Sequence, residues 1–275
     1  MGKKIRLDLL LVEKGLIDTR EKAKRMIMAG MVFSEEQRLD KPGQKVDESI
    51  PVKIKGKVMP YVSRGGMKLE KALKTFPISV EGKIMIDIGA STGGFTDCAL
   101  QHGAKASYAI DVGYNQLDWK LRNDERVHVM ERTNFRYVTQ EDLTMGSPTF
   151  ATIDVSFISL TLILPVLAQL LNHDSSVIAL IKPQFEAGRN QVGKKGIVRE
   201  AAIHREVIEK IVNAAGSLGY TLEGLTYSPI TGGDGNIEFL AYFHWDGAKE
   251  GHRIDDVELN TVVSEAHEAF KSIRN

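Results

Sequence analysis

The spacing of hydrophobic residues divides the chain into a short first part and a longer second part. Over residues 1–60, apolar side chains recur every three or four positions in two stretches. This predicts two short helices, followed by stop signals at Gly15 and Gly30. The apolar positions of the two helices are Leu7, Leu10, Leu11, Ala23, Met26 and Ile27. Strand-like segments follow at 31–33 and 50–54, so the pattern predicts a small α+β domain.

From residue 83 onward, the pattern changes to apolar strands that alternate with helices. The predicted strands are 83–88, 107–110, 127–130, 150–153, 177–181, 222–227 and 237–244, and the predicted helices start at Phe95 or span 158–171 and 199–218. This alternation predicts a doubly wound α/β fold with a mostly parallel sheet. The connection 228–236 is too short for a helical crossover, so the last two strands are expected to pair antiparallel.

The two parts are joined by a segment predicted as a linker, 60–63, and by one amphipathic helix. The apolar face of this helix consists of Leu69, Ala72, Leu73 and Phe76, with Lys68 at its margin. We therefore expect a small domain over 1–60, the linker and first helix over 61–80, and the main α/β domain over 81–275.

The net charge of the chain is zero, but its distribution is uneven. Residues 1–74 carry 18 Lys and Arg against 10 Asp and Glu, so the remainder is acidic by the same amount. A basic N-terminal part is typical of a domain that contacts phosphates, although a solvated charged surface has the same composition. Cys98 is the only cysteine, and no apolar run reaches the roughly 18 residues of a membrane span. The composition predicts a cytoplasmic protein that does not act on membranes.

A glycine-rich turn follows the first strand of the α/β part. Its sequence is Gly89-Ala90-Ser91-Thr92-Gly93-Gly94-Phe95, directly after Asp87-Ile88. In such folds this turn holds a nucleotide cofactor, because glycines let the backbone approach the ligand. Asp111 ends the second strand 22 residues after Gly89, the spacing expected for a carboxylate on ribose hydroxyls. Asn134, just past the third strand, is a candidate for an adenine contact or for a turn cap.

Three charged residues stand at the ends of apolar strands. Asp154 and Lys182 follow their strands, and Glu238 begins the antiparallel last strand, so all three are expected at the sheet edge that carries the glycine-rich turn. Taken singly, each has a structural alternative: a helix cap, a surface ammonium or an edge-strand charge. Their convergence favours a catalytic site. No His/Cys cluster offers a metal site, so no metal is expected.

Several motifs of the main part resemble those of the TlyA (haemolysin A) family, whose catalytic domain is similar to the FtsJ-type ribose methyltransferases. These motifs are Ser63-Arg64-Gly65-Gly66-Met67-Lys68-Leu69, residues 87–94, Asp154-Val155-Ser156-Phe157-Ile158-Ser159-Leu160, Lys182-Pro183-Gln184-Phe185-Glu186 and Gly235-Asn236-Ile237-Glu238. The resemblance implies a Rossmann-like S-adenosylmethionine methyltransferase sheet, parallel with an antiparallel last strand. It also implies 2′-O-methylation of cytidines in ribosomal RNA.

By the same resemblance, Lys68, Asp154, Lys182 and Glu238 form a catalytic tetrad. Lys182 can orient the attacking ribose hydroxyl or accept its proton. Lys68 nearby favours the neutral amine of Lys182, whereas the two carboxylates favour the ammonium, so the sequence leaves both roles open.

The first 60 residues resemble the small RNA-binding domain of a small-subunit ribosomal protein and of many pseudouridine synthases. The matching residues are Arg6, Leu7, Asp8, Gly15, Arg20, Ala23, Ile27, Gly30, Val32, Lys41, Pro42 and Gly43. The segment between Gln184 and Arg199 is predicted as a mobile loop over the site that contacts RNA. The candidate RNA-binding residues are Arg6, Lys14, Arg20, Lys22, Lys24, Arg25, Arg64, Arg189, Lys194 and Lys195. The expected partner is ribosomal RNA or a ribosomal subunit.

Three other functions fit parts of the pattern. A nicotinamide-dependent oxidoreductase is disfavoured because the turn after Ile88 lacks the second glycine of the dinucleotide fingerprint. A membrane-active cytolysin, which the older family name suggests, is disfavoured by the absence of a spanning segment. A non-catalytic RNA-binding module is disfavoured by the intact tetrad.

Overall fold

The computed structural model describes residues 4–28, 30–35, 37–55, 59–247 and 256–271. The contacts of the chain divide it into two compact units, Met1–Pro60 and Tyr61–Asn275. The helices are α1 (Leu7–Glu13), α2 (Arg20–Met28), α3 (Gly65–Thr75), α4 (Gly94–Gln101), α5 (Trp119–Arg122), α6 (Leu164–Leu170), α7 (Pro183–Glu186), α8 (Ala201–Gly216) and α9 (Asp256–Ala269). The strands are β1 (Lys4–Arg6), β2 (Val32–Ser34), β3 (Gln37–Arg38), β4 (Lys45–Asp47), β5 (Lys53–Ile54), β6 (Ile84–Ile88), β7 (Ala106–Ile110), β8 (Val127–Met130), β9 (Phe150–Ile153), β10 (Ser175–Ile181), β11 (Tyr220–Tyr227) and β12 (Phe239–Trp245).

In the first unit, α1 and α2 pack against each other, and the six apolar side chains predicted for their inner faces are all buried. The strands form two small sheets, β1 with β4 and β3-β2-β5. The sequence pattern did not reveal β1, β3 and β4. They are two or three residues long, too short to show an alternation, and β1 pairs with a strand about 40 residues away, with Ile5 opposite Val46.

The second unit contains one seven-stranded sheet in the order β11-β12-β10-β9-β6-β7-β8. Strand β12 runs antiparallel to both of its neighbours, and the pairs from β10 to β8 are parallel. This confirms the predicted α/β sheet with an antiparallel last strand. Ile88 lies opposite Ile110 and Ile153, and Ile181 lies opposite Phe239. The residues just beyond these positions therefore meet at one edge of the sheet.

Both faces of the sheet are covered. Met85 of β6 packs with Leu69 of α3 and Cys98 of α4, whereas Ile86 packs into the core that includes Leu164 of α6 and Ile208 of α8. A strand buried on both faces needs apolar side chains at nearly every position, which explains the continuous hydrophobic runs of the sequence. Asp87 is the single polar residue of β6.

The predicted helix 158–171 is wrong in its first part. The chain forms a 3₁₀ turn at Leu160–Leu162 and then α6, which begins only at Leu164. Ser159 Oγ and the Leu160 amide donate to the carboxylate of Glu186, at 2.6 and 2.7 Å, and this fixes the preceding loop in a non-helical path. Pro165 then stands in the first turn of α6, where its missing N–H costs nothing.

The segment predicted as a linker packs into the second unit. Tyr61 is 6% exposed and belongs to the same core as α3 and α4. The amide of Val62 donates to Asp97 Oδ2 at 2.8 Å. The chain is therefore part of the second unit's structure immediately after Pro60.

Candidate active site

The edge of the sheet brings the predicted charged residues together. Asp154 follows β9, Lys182 follows β10, and Glu238 directly precedes β12. Because β12 is antiparallel, its first residue lies at the edge where the parallel strands end. Lys68 comes from α3, which packs against α4 beside this edge. Lys68 is 7%, Lys182 8% and Glu238 2% exposed, so these charges need partners within the protein.

The four side chains, which we call the tetrad, form a row of alternating charge. Lys182 Nζ lies 2.5 Å from Asp154 Oδ1, and Asp154 Oδ2 lies 3.5 Å from Lys68 Nζ. Lys68 Nζ also donates to Glu238 Oε2 at 2.8 Å. Two cations and two anions balance, so each buried charge lies beside one of opposite sign.

Two further polar side chains contact the tetrad and were not predicted as site residues. Lys182 Nζ donates to Ser156 Oγ at 3.2 Å, and Gln184 Nε2 lies within 3.4 Å of Glu238 Oε1. Each stands two residues after a tetrad member in the sequence. Their position could have been predicted, since each is a polar residue just beyond the end of a buried strand and two residues after a charged one.

The tetrad lies in the wall of a cavity of about 630 Å³. The described residues that line it are Ser63, Arg64, Gly65, Lys68, Asp87, Gly89, Ala90, Ser91, Thr92, Gly94, Phe95, Asp154, Ser156, Lys182, Ile230, Thr231, Gly232, Gly233 and Glu238. The cavity therefore joins the glycine-rich turn to all four tetrad residues. The turn 230–233 also lines the cavity, and the sequence did not predict it as part of the site.

The glycine-rich turn passes very close to its neighbours. A Cβ at Gly89, where φ is +83°, would lie 2.3 Å from the carbonyl oxygen of Asp154. A Cβ at Gly94 would lie 2.3 Å from Ser63 Oγ. Side chains at these positions would clash with atoms that line the cavity, which explains why the turn needs glycine there.

Asp87 lies under this turn and is 1% exposed. Burial raises the pKa of its carboxyl to about 6, although hydrogen bonds from Thr96 and Thr152 act in the opposite direction. The Thr96 hydroxyl donates to Oδ2 at 2.7 Å, and the Thr152 hydroxyl donates to Oδ1 at 2.9 Å. Asp87 is thus a carboxylate that changes charge close to neutral pH in the floor of the cavity.

Three residues predicted as cofactor contacts are not among the described residues that line the cavity: Gly93, Asp111 and Asn134. Asp111 accepts from the amides of Ser91 and Gly113, at 2.8 and 2.7 Å, and so holds the turn from behind. Asn134 Oδ1 accepts from the Arg136 amide at 3.2 Å and caps the 3₁₀ turn Phe135–Tyr137. This is the turn-cap role that the sequence left open for Asn134.

The predicted RNA-binding residues of the second unit occupy two places. Arg64 lines the cavity and donates to the carbonyl oxygen of Thr231 at 3.1 Å. Arg189, Lys194 and Lys195 lie in an exposed segment outside the described cavity lining. Asn236 ties the end of this segment to the turn before Glu238, because it donates to Gly196 O at 3.0 Å and accepts from the Val198 amide at 3.1 Å.

An exposed aromatic side chain directly follows the cavity-lining Ser156. Phe157 is 90% exposed and has a φ of +64°, unusual for a residue with a side chain. Its ring centroid lies 4.8 Å from that of Phe185. The loop therefore presents a flat apolar surface to solvent beside the tetrad.

In the first unit, three predicted RNA-binding lysines have local partners. Lys14 Nζ donates to Ile50 O at 3.1 Å, Lys22 pairs with Asp18 at 3.0 Å, and Lys24 pairs with Glu21 at 2.7 Å. Exposed pairs of this kind are weak, so a polyanion can compete for these lysines. Arg25 lies in the last turn of α2, and Arg6 and Arg20 share one carboxylate, that of Asp8.

The part of the chain that the structure describes contains no cluster of three or more His, Cys, Asp or Glu side chains suited to a metal ion. Among the described helices, none combines the length and the apolarity needed to cross a membrane.

Each of the two units matches a known protein family. Residues 61–245 match the model of the FtsJ-like methyltransferases, and residues 5–49 match the S4 domain. The fold and the two family matches thus define an FtsJ-like methyltransferase that carries an S4 domain. A methyltransferase of this class implies S-adenosylmethionine as the methyl donor.

Individual relatives narrow the assignment. The chain is 65% identical to YqxC of Bacillus subtilis, over 98% of this chain and 96% of that one. It is 40% identical to the 16S/23S rRNA (cytidine-2′-O)-methyltransferase TlyA of Mycobacterium tuberculosis, over 89% and 90% of the two chains. A solved structure described as a hemolysin, from Streptococcus thermophilus, is 53% identical and superimposes with a TM-score of 0.77 over 100% of this chain and 99% of that one. The chain belongs to the TlyA, or haemolysin A, family, which confirms the resemblance of its motifs.

Proposed function

We propose that this protein transfers a methyl group from S-adenosylmethionine to the 2′-hydroxyl of a cytidine in ribosomal RNA. The observation that carries the proposal is the tetrad, whose four charged side chains line the same cavity as the glycine-rich turn. The 2′-O-methylation named for the TlyA relative, at 40% identity across most of both chains, supports this substrate.

The cavity fits the cofactor in size and in chemistry. Small-molecule sites commonly enclose about 300–1,000 Å³, and this cavity measures about 630 Å³. We assign Asp87, Gly89, Ala90, Ser91, Thr92, Gly94, Phe95 and Asp154 as candidates for direct contact with the cofactor, and Gly93 and Asp111 as supports of the turn. When bound, S-adenosylmethionine supplies a methyl group activated by its sulfonium charge.

The tetrad would act on the ribose hydroxyl, which is a weak nucleophile. Lys182 would hold and orient the hydroxyl oxygen, whose proton would leave to Lys182 or to solvent as the oxygen takes the methyl group, while Asp154 fixes the position of Lys182 Nζ at 2.5 Å. Lys68 pairs with Glu238 and also lies 3.5 Å from Asp154, so Asp154 has a cation on each side. Such positioning in a largely water-excluded wall is a strong source of rate acceleration.

Recruitment of RNA would fall to the S4 domain and to residues around the cavity mouth. Residues 1–60 carry 14 Lys and Arg against 9 Asp and Glu, so this unit attracts phosphates. Arg64 would contact the RNA at the cavity, and Phe157 offers an aromatic surface on which an unpaired base can stack. Arg189, Lys194 and Lys195 would add contacts to the backbone.

A binding and product experiment tests the proposal. Isothermal titration with S-adenosylmethionine and, separately, with NAD should give saturable binding for the first ligand only. The purified protein should then transfer labelled methyl groups to unmodified ribosomal RNA, and nucleoside analysis should identify 2′-O-methylcytidine. Binding of NAD without S-adenosylmethionine, or methylation only of a base, would refute the assignment.

A further inference from the structure

Asp8 lies at the start of α1, and its side chain is completely buried. Its two oxygens accept hydrogen bonds from two arginines that belong to different elements. Arg6, at the end of β1, donates Nε and Nη2 to Oδ1 and Oδ2 at 2.9 and 3.0 Å. Arg20, at the start of α2, donates Nε to Oδ2 at 2.9 Å. We call Arg6, Asp8 and Arg20 the Asp8 cluster.

The cluster is asymmetric in exposure and in charge. The Asp8 side chain is 0% exposed, whereas those of Arg6 and Arg20 are 40% and 45% exposed. A guanidinium has five N–H donors, so the three hydrogen bonds to Asp8 leave most donors of both arginines for other acceptors. Two cations beside one anion leave one positive charge in excess. The cluster therefore presents two fixed, partly exposed guanidinium groups side by side.

Holding the arginines in place has an energetic consequence for an anion that binds them. Free arginine side chains lose rotamer freedom when an anion immobilises them, and this loss opposes binding. In the Asp8 cluster this ordering is already provided by folding, because the carboxylate fixes both Nε atoms. Planar guanidinium groups match the oxygens of a phosphate group in paired hydrogen bonds.

We propose that Asp8 is a positioning residue for RNA binding, which holds Arg6 and Arg20 together as one clamp for a phosphate group of the RNA backbone. This inference rests on the proposed ribosomal RNA substrate. Asp8 itself does not touch the RNA. It acts through the two arginines, whose side chains remain 40% and 45% exposed while both are hydrogen-bonded to it.

For the variant Asp8→Asn, we expect a change in RNA affinity opposite to the one that net charge alone predicts. Removing a carboxylate from an RNA-binding domain raises its positive charge by one, and long-range attraction alone predicts tighter RNA binding. If Asp8 fixes the clamp, Asp8→Asn weakens RNA binding although the net charge becomes more positive. The pKa of Asp8 is lowered to about 2, by its hydrogen bond from Arg6 first, so the carboxylate is ionised throughout any practical assay range.

The test compares two variants of the full chain that carry the same chemical change. Asp8→Asn removes the buried carboxylate, and Asp18→Asn removes one that is 83% exposed on the same unit. Binding of purified 23S ribosomal RNA is measured over a range of salt concentrations. We expect Asp8→Asn to weaken binding about tenfold and to lower the slope of log affinity against log salt by about one phosphate contact. Asp18→Asn should leave binding unchanged or slightly tighter.

A double-mutant cycle separates positioning from a general effect on the fold. Arg6→Gln/Arg20→Gln should weaken RNA binding, and adding Asp8→Asn to it should cause no further loss. If Asp8→Asn fails to fold by thermal melting, Arg20→Lys replaces it: the charge stays, the fork is lost, and affinity should still fall. Tighter or unchanged binding by a folded Asp8→Asn variant, or by Arg20→Lys, would overturn the clamp. The clamp is also rejected if the double arginine variant binds RNA like wild type. Failure of the proposed function is a separate result, because the wild-type protein would then transfer no methyl group.

Discussion

Each unit of the protein contains a network of charged side chains around a buried carboxylate, but the two networks differ in balance and in exposure. The tetrad combines two lysines with two carboxylates, and Lys68, Lys182 and Glu238 are each less than a tenth exposed. The Asp8 cluster combines one buried carboxylate with two arginines that remain 40% and 45% exposed. One network is closed and neutral, and the other is open and cationic.

This difference fits the roles that we propose for the two units, catalysis for the second and RNA binding for the first. A neutral, buried row of charges provides no net attraction for a polyanion, but it fixes side chains accurately where a reaction needs them. A partly exposed pair of guanidinium groups with excess positive charge attracts phosphates but cannot exclude water. The compact ammonium of lysine can lie between two carboxylates, whereas the planar guanidinium of arginine is suited to bind phosphate in paired hydrogen bonds.

The largest expected effect comes from removing one member of the closed network. Lys182→Ala should lower the rate of methyl transfer by about 10²–10⁴-fold, because the hydroxyl loses the group that orients it. Affinities for S-adenosylmethionine and for RNA should stay within a few-fold of wild type. Single-turnover methylation at saturating cofactor measures the rate, and calorimetry measures the affinities.

Lys105→Ala is the matched control for this variant. Lys105 is exposed and precedes β7, at the opposite edge of the sheet from the tetrad. It should methylate RNA like wild type. If Lys182→Ala also stays within a few-fold of wild type, Lys182 has no part in the mechanism.

The next largest expected effect is a loss of folding stability, which should be greater for the closed network than for the open one. Lys68→Met leaves Glu238 buried without its closest cation, and breaking such a pair typically costs about 3–5 kcal/mol. The double variant Lys68→Met/Glu238→Gln should recover part of this loss. Arg20→Gln in the open network should cost less than Lys68→Met, because Arg6 still donates two hydrogen bonds to Asp8 and the Arg20 side chain is already 45% exposed.

Thermal melting of the full-length variants measures these differences. For each variant, the melting temperature is taken from the transition of the unit that carries the substitution. Equal losses for Lys68→Met and Arg20→Gln would show that burial does not distinguish the two networks.

The smallest effect is a pH dependence of cofactor binding. Burial raises the pKa of Asp87 to about 6, so its carboxylate gains a proton as the pH falls through that value. S-adenosylmethionine carries net positive charge, so its affinity should fall below about pH 6, by at most about tenfold per pH unit. Asp87→Asn should bind more weakly and show a flat profile over the same range, as calorimetry at several pH values can measure.

The pH dependence that Asp87 gives to the stability of the fold is opposite to that of most acidic residues. The pKa of Asp87 is higher in the folded protein than its ordinary value, so the protonated form stabilises the fold at low pH, and this contribution is lost as the pH rises through about 6. A cofactor affinity that is constant from neutral pH down to below about 5 would remove Asp87 from the cofactor site.

The sequence was sufficient to predict the residues that regular structure places at the edge of the sheet. Asp154 and Lys182 follow continuous apolar runs, and the short connection before Glu238 shows that the last strand reverses direction. Once the sheet is known, the position of these residues follows from strand direction alone. Lys68 needed the family resemblance, because a lysine at the margin of a helix has the pattern of an ordinary surface residue.

The remaining features depend on contacts between segments far apart in the chain. Glu186 determines where α6 begins by accepting hydrogen bonds from residues 159 and 160, and nothing in the local pattern shows this. Asp8 lies between two leucines in the sequence, and nothing in the local pattern shows that it is fully buried and pairs with Arg20 of α2. The cap made by Asn134 and the approach of Gln184 to Glu238 are also set by loop geometry.

Mapping of ribose methylation is the most direct test of whether the tetrad methylates ribose in ribosomal RNA. Ribosomal RNA from cells that lack this gene is compared with RNA from the same cells supplied with the wild-type gene or with the Lys182→Ala gene. We expect at least one 2′-O-methylated cytidine that requires the wild-type gene and is absent with Lys182→Ala, although both proteins are present at equal levels. An identical methylation map in all three samples would contradict it.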